Sequence, residues 1–580
     1  MSANGNVAAN QTESLTSNHY DVVVVGSGFG GSVAALRLTE KGYRVLVIEA
    51  GSRFEDKDFA KNSFDLKRFL FFPRLGLRGI QRIDLLKNVL VMSGAGVGGG
   101  SLVYANTLYQ PDEQFFGTGP WSAMTNWQLA LSPYYDQARR MLGVETNPYL
   151  SPSDAALRKV AQENGYGDTF KLADLGIHFG TGSNTQAGSV PDPYFGGAGP
   201  ARSDCKNCGE CMTGCRHGAK NTLVKNYLYL AERAGTRVIA DTTVTHIQER
   251  IDGGFRLDLR SSGLFGGRKM VTADQVVVAA GALGTAKLLQ RVKNNGGLRG
   301  LSNRLGHLSR TNSESLLGVV SKTEKVDYSL GSAITSSVFP SPDTHIEPVR
   351  YGRGSGFMGL LQSVAASGKA GQNPSPARLL WVTLANLHRL PNFYNLRTWP
   401  QRTLILLVMQ SRDNSLVTFA KRRLLGGIKL SSRQGHGEAN PAWVPEGHRV
   451  AKQLAQDIDG TAGAVIGEPF GIPLTAHFLG GAVIAPDPSQ GVVDGYLRAF
   501  GQPGLHIFDG SVLPANPGVN PSLSITAIAE WAAAHWPNKG EADSRPQLGQ
   551  AFKVVEPVTP GHPVVPASAS GALRLSIRPR

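Results

Sequence analysis

Cysteine is nearly absent from this sequence: four residues in 580, all inside the window Cys205-Lys-Asn-Cys208-Gly-Glu-Cys211-Met-Thr-Gly-Cys215. So confined a set argues against an exported disulfide framework. Long apolar runs are lacking too. No stretch approaches the roughly 18 consecutive apolar residues of a membrane span, and the segment Met1 to His19 has no apolar core of a secretory signal. Cytoplasmic residence, with association at a membrane surface, is the expectation. Acidic residues are the scarcer charge, 44 against 59 Lys and Arg, which leaves a net charge of +15. Zinc-finger histidine spacing and RNA-binding aromatic signatures are both missing, so nucleic acid is not an expected partner.

What is present is glycine, 70 residues against 33 prolines, a balance common where loops approach a large cofactor closely. The chain is long enough for two or more domains. Tyr20–Val25 reads as a buried parallel strand, Ser32–Lys41 as a helix and Arg44–Ile48 as a second strand. Trp127–Leu142 and Thr222–Ala234 have helical spacing. Asp274–Ala280 is another buried strand with a helix from Thr285, and Ser522–Trp536 reads as the last helix. Between residues 311 and 470, strand-like runs at Leu404–Gln410 and Leu416–Ala420 suggest an antiparallel sheet that shapes a pocket. The last forty residues hold six prolines and little periodicity, as in a tail draped on the surface or disordered.

Gly26-Ser-Gly28-Phe-Gly-Gly31 sits between the first strand and its helix. The first glycine permits the tight turn, the second lets a pyrophosphate approach the backbone, and the third lets helix and strand pack. The helix N-terminus then offers unpaired N–H groups to the phosphates. Glu49 ends the second strand, where a ribose hydroxyl is expected. These features specify a dinucleotide and leave NAD and FAD undistinguished.

Four separated motifs occur in an order that resembles the glucose–methanol–choline (GMC) oxidoreductases. They are the N-terminal fingerprint, the loop Gly94–Ser101, the strand Val276–Gly281 with its continuation to Thr285, and Asp509-Gly-Ser-Val-Leu-Pro514 with Gly518-Val-Asn520-Pro521. Within that family the chain is most similar to bacterial enzymes that oxidise sterols. The resemblance implies an α/β fold: a Rossmann-like FAD-binding domain of the GMC/p-hydroxybenzoate-hydroxylase type plus an antiparallel-sheet substrate domain. The expected organisation is a leader at 1–18, FAD-binding segments at 19–310 and 471–540, a substrate domain at 311–470 and a Pro-rich tail at 541–580. FAD is then the cofactor, contacted by Gly26, Gly28, Gly31, Glu49, Gly98, Gly99, Ser101, Asp509, Gly510 and Asn520. The resemblance departs at Tyr104-Ala105-Asn106, where the better-known sterol enzymes place Asn-Gly.

The resemblance also assigns a catalytic pair. His477 matches the histidine that lies over the flavin and handles the substrate hydroxyl, and Asn520 its hydrogen-bonding partner near the reacting carbon. Alcohol oxidation removes a proton from oxygen and a hydride from carbon, and histidine can accept or orient that proton near neutral pH. Asn520 is expected to cap the helix begun by Pro521 and so aim its N-terminus at the flavin. Moving a sterol double bond from the 5 to the 4 position needs a carboxylate. Glu347 is the candidate and Glu314 its rival, with a solvated surface role the alternative for each. The expected reaction is oxidation of the 3β-hydroxyl of a sterol such as cholesterol to a 3-ketone, with molecular oxygen or a redox carrier as acceptor. The rival enzyme reading is a dehydrogenase of another hydrophobic alcohol. A flavin or iron–sulfur redox sensor is a third reading, but it would need no proton acceptor.

Cys205, Cys208, Cys211 and Cys215 form a C-x2-C-x2-C-x3-C run. A zinc ribbon pairs two knuckles separated by a dozen or more residues, and a redox dithiol needs only two thiols. A [4Fe–4S] site, or [3Fe–4S] with one ligand lost, fits the spacing best, although Arg216 stands where bacterial ferredoxins have proline. Such a cluster would carry electrons onward to a carrier. Two basic-aromatic segments, Lys61–Lys87 and Arg378–Arg402, suit transient contact with an anionic bilayer, the alternative being amphipathic helices packed on the core.

Overall fold

Val22, Val23 and Val24 are wholly buried in the strand His19–Val25, as a near-continuous β-branched run requires when helices cover both faces of a sheet. The computed structural model describes residues 18–180, 188–264, 266–368, 373–422 and 428–574. All of the expected leader except Asn18 therefore lies outside the described residues. The first sheet runs in the spatial order Arg237–Ile239, Val45–Ile48, His19–Val25, Arg268–Val278, Phe255–Ser261, Thr242–Glu249. Its long strand Arg268–Val278 pairs in parallel with His19–Val25 on one side. On the other side it pairs first with Phe255–Ser261 and then, at Val276–Val278, with the late strand Leu505–Ile507. That last pairing returns the C-terminal motifs to the middle of the dinucleotide sheet.

The helix Phe29–Glu40 follows the fingerprint and is buried almost all round. It packs against the helices Tyr227–Arg233 and Ser522–Ala534. Arg37 can lie inside this layer because its guanidinium meets Glu40 at 2.7 Å and Glu530 at 2.9 Å, so no buried charge is left single.

The second sheet is antiparallel throughout, in the order Gln362–Val364, Gly460–Val465, Ser315–Ser321, Thr403–Gln410, Thr344–Val349, Ser336–Ser341, Lys171–Leu172. Its last strand comes from outside the 311–470 span. The helix Pro445–Asp457 covers one face, burying Val450, Ala451 and Leu454 with Leu317, Val319 and Val408. The other face turns Leu407 and Ile405 toward the interior between the two sheets.

Several expectations shift. Thr222–Ala234 is divided at Asn226 into a 3-10 turn and a short helix, since Asn226 leaves helical geometry and caps Tyr227 with its side chain. Lys61–Lys87 is one helical turn and short strands, with Phe69 and Phe71 buried and Leu75 exposed. In the second basic-aromatic segment Phe393, Trp399 and Arg402 are core residues, Arg402 donating to the carbonyls of Ser321 and Asn392. The tail carries no regular element between residues 541 and 574, yet it is anchored. Val565, Ala569 and Ala572 are buried in the main core, and the N–H groups of His562 and Val564 bond Glu40.

Candidate active site

The cavity between the sheets has a volume of about 330 Å³ and is lined from both. Its dinucleotide end shows the division of labour among the fingerprint glycines. Gly26 has φ +103°, and a Cβ there would stand 2.3 Å from the carbonyl of Ala279. A Cβ on Gly31 would meet the carbonyl of Gly26 at 2.2 Å, so only glycine lets helix and strand touch. At Gly28 an added Cβ meets no atom within 4 Å, and Gly28 lies on the cavity wall. That open backbone, beside the start of the helix Phe29–Glu40, is the place a pyrophosphate needs.

Glu49 ends its strand as expected, but its carboxylate holds the framework. Oε2 accepts from the Ser27 N–H at 3.1 Å and hydroxyl at 2.7 Å, while Oε1 accepts from the Gly51 N–H at 2.9 Å. Burial raises its pKa against these bonds. Ser101 acts similarly, donating to the Gly98 carbonyl at 2.7 Å and accepting from the Leu223 N–H at 3.0 Å. Of the ten residues expected to contact cofactor, Gly28, Asp509, Gly510 and Asn520 line the cavity. Gly26, Gly31, Glu49, Gly98, Gly99 and Ser101 are not among its lining residues. Asp509 is fixed by the hydroxyls of Thr285 at 2.5 Å and Ser511 at 2.6 Å.

His477 and Asn520 face the same cavity, each backed by a buried glutamate. Nδ1 of His477 is 3.1 Å from Oε2 of Glu314, an ion-pair distance without the alignment of a hydrogen bond. Glu314 is otherwise satisfied, accepting from the Thr475 hydroxyl at 2.9 Å and the Ala476 N–H at 3.1 Å. Nδ2 of Asn520 donates to Oε2 of Glu347 at 3.2 Å. Oδ1 of Asn520 and Oε1 of Glu347 are buried without partners among the described residues. Burial pushes the Glu347 carboxyl up to about 8; the Asn520 bond pulls it down and the nearby Glu314 charge raises it. Glu347 does not itself reach the wall, because Asn520 stands in front of it. The helix cap is also displaced by one residue. Pro521 occupies the N-cap position and Asn520 gives its amide to Glu347 instead, although Asn520, Pro521 and Ser522 all line the cavity.

What sequence reasoning missed is the segment that brings His477 and Asn520 together. Arg310 exchanges backbone hydrogen bonds with Leu479, and its guanidinium donates to the Pro514 carbonyl. Asn312 accepts from the Gly518 N–H at 2.9 Å and donates to the Val519 carbonyl at 3.0 Å. The only sequence signal was a polar run, Arg310-Thr-Asn-Ser-Glu314, immediately before a buried strand.

The cysteine window wraps one small pocket that all four residues line. Positive φ at Asn207, Gly209 and Gly214 curls the loop, and the paired bonds Gly209 N–H to Gly331 and Gly331 N–H to Asn207 fasten it to the substrate side. Met212, next to Cys211, lies on the wall of the large cavity.

Comparison with known proteins agrees with this geometry. Residues 200–295 and 428–529 match the two GMC oxidoreductase family models, and residues 24–59 match an NAD(P)-binding Rossmann-like domain. The chain belongs to the GMC oxidoreductase family, and is an FAD-dependent enzyme acting on CH–OH groups. It is 55% identical to a cholesterol oxidase of Mycobacterium tuberculosis over 96% of this chain and 97% of that one. A cholesterol oxidase of Acinetobacter baumannii is 40% identical over 90% of this chain and 95% of that one. Pyridoxine 4-oxidase from Mesorbium loti, a solved structure, shares the fold with a TM-score of 0.56 at 17% identity, covering 88% of this chain and 98% of that one.

The glycine geometry separates folding from cofactor binding. Gly28→Val should fold with an unchanged far-UV spectrum but purify without flavin absorbance, because its side chain enters only open space. Gly31→Val should fail to give soluble protein, because its Cβ strikes backbone. Normal flavin content in Gly28→Val would contradict this account.

Proposed function

We propose that this chain oxidises the 3β-hydroxyl of cholesterol or a related sterol to the 3-ketone and then moves the double bond from the 5 to the 4 position. The observation that carries the reading is one cavity whose apolar wall, from Leu317 through Met358 and Trp399 to Leu407, ends at the polar pair His477 and Asn520. A rigid apolar body and a single hydroxyl need such a division. The two relatives named cholesterol oxidase support it, at 55% and 40% identity.

FAD, when bound, supplies the hydride acceptor. His477 takes or orients the hydroxyl proton, with Glu314 behind it to stabilise the protonated ring. The unpartnered Oδ1 of Asn520 is free to accept a hydrogen bond from the substrate hydroxyl. The electrons then leave the flavin for molecular oxygen or a redox carrier. Glu347 serves as the carboxylate of isomerisation, because it keeps an unpaired oxygen whereas both oxygens of Glu314 are engaged. It reaches the sterol when the Asn520 side chain in front of it turns aside.

A second surface supports sterol uptake from a bilayer. The helix Pro376–Ala385 exposes Leu380, Leu384 and Trp381, the last 69% exposed, with Arg378 beside them. It packs on the strand Gln362–Val364, whose Gln362 lines the cavity. Such a helix dips its apolar face into a membrane surface while its cation meets anionic headgroups.

Cholesterol added without oxygen should bleach the flavin, and His477→Gln should slow that bleaching by about 10²–10⁴-fold, the usual worth of a positioned acid–base group. No bleaching by any of several 3β-hydroxysterols would remove the sterol reading. Glu347→Gln should still bleach but release the unconjugated ketone. In the native enzyme, isomerisation should rise as pH passes through about 8, since only the ionised carboxylate accepts a proton. Conjugated-ketone absorbance from Glu347→Gln equal to the parent's would reassign the base. Trp381→Asp with Leu384→Asp should lose binding to phosphatidylglycerol–cholesterol vesicles while keeping activity on detergent-solubilised cholesterol. Undiminished vesicle binding would discard the docking helix.

A further inference from the structure

Around the four thiols lie three buried cations; Asp154 faces Arg350 and Asp56 faces Arg202, but among the described residues no carboxylate faces Lys220. Lys220, Arg202 and Arg350 are each about 1% exposed or less. Among the described residues none of the three makes a salt bridge to a carboxylate. Lys220 and Arg350 face Cys211, Lys220 and Arg202 also face Cys215, and no other anion lies close to Lys220. The ammonium of Lys220 is spent on three carbonyls, those of Leu102, Tyr104 and Cys211. A buried cation without a counter-ion is costly, and Lys220 beside neutral thiols would be one. An anionic centre on the sulfurs removes the difficulty.

The sulfurs are also prepared as ligands. The Asn207 N–H approaches the Cys205 Sγ at 3.5 Å, and the backbone N–H groups of Glu210 and Ala333 serve Cys208 and Cys211. The amide of Asn106, wholly buried, faces Cys211 as well. N–H groups aimed at thiolate sulfur are a means by which proteins hold and tune iron–sulfur clusters. Spacing separates the metals. Four thiolates on zinc, with Zn–S near 2.3 Å, stand only about 3.8 Å apart in a tetrahedron. Among the described residues the one group of three ligand atoms mutually within 4.8 Å is Cys208, Glu210 and His217, and no three of the sulfurs meet that limit. A cubane, with its thiolates outside the iron corners, requires the wider arrangement.

We propose that Cys205, Cys208, Cys211 and Cys215 bind a [4Fe–4S] cluster that gives the active site a one-electron exit. Its oxidised form with four thiolates carries two negative charges, facing Lys220, Arg202 and Arg350. Met212 separates it from the cavity by one side chain, while Lys206 is exposed on the outer side of the loop. The exit rests on the alcohol-oxidising reading: each alcohol oxidised to a ketone releases two electrons and two protons. The electrons pass singly to two oxidised one-electron carrier proteins, each reduced once, and the protons go to solvent.

The test is metal analysis and low-temperature EPR on the full chain, purified without oxygen or reconstituted with ferrous iron and sulfide. About four iron and four sulfide per FAD are expected, with an EPR signal after dithionite. Cys208→Ala and Cys211→Ser should lose that signal and most of the iron while keeping FAD. Zinc without sulfide, or four reagent-accessible thiols in iron-free, FAD-loaded protein, would overturn the site whether or not the variants fold. Cholesterol added without oxygen should raise the same signal in the parent enzyme. Flavin bleaching without that signal would overturn the exit alone. Iron and sulfide at the expected count with no bleaching would leave the cluster and remove the sterol reading.

Discussion

The active site depends on one short polar segment, Ser309 to Glu314, which ties together two stretches of chain that never pair with each other in a sheet. Arg310 and Glu314 hold the strand-like run carrying His477, and Asn312 and Arg310 hold the loop leading to Asn520. The backbone bends sharply to do this. Leu308, Asn312 and Ser313 all have positive φ, which for residues other than glycine costs roughly 1–3 kcal/mol each. The cost is offset by partners across the seam: Asn312 spans Gly518 and Val519, and Ser313 bonds Asn414. Without that clamp, His477 and Asn520 would be two polar residues on separate loops.

The clamp also divides two chemically identical side chains. Glu314, inside it, has hydrogen-bond donors on both oxygens and lies 3.1 Å from Nδ1 of His477. Glu347, on the strand Thr344–Val349, has one donor, and the charge of Lys171 is the smallest influence on it, so burial dominates and raises its pKa to about 8. Paired carboxylates pushed apart by environment acquire different roles. A comparable imbalance exists at the cysteine loop, where Lys220 is buried with no carboxylate facing it among the described residues. Met212 and the Tyr104 loop lie between the two sites.

Much of the dinucleotide half was legible because its signals are local. Gly26, Gly28 and Gly31 occupy one turn, where backbone sterics dictate the first and third and leave the second open to a ligand. The helix Trp127–Leu142 was legible from its apolar spacing, as were the strands at 19–25 and 403–410 from their unbroken apolar runs. Phe393, Trp399 and Arg402 misled for the opposite reason: aromatics beside cations look the same whether they face a membrane or bury each other. Asn520 suggested a helix cap, a contact its own neighbours could supply, but the nearby Glu347 carboxylate took its amide instead.

By itself the sequence determined the glycine turn of the dinucleotide end, the polar pair His477 and Asn520 that faces the cavity and the presence of four metal-suited thiols, because each is written in short local motifs. Only the tertiary structure decided which glutamate backs which partner, that Glu49 and Ser101 brace the cradle from behind, and that three buried cations converge on the cysteines. Those facts join residues more than a hundred positions apart. Desolvation, pairing and charge balance depend on distance in space, and no spacing along the chain encodes them.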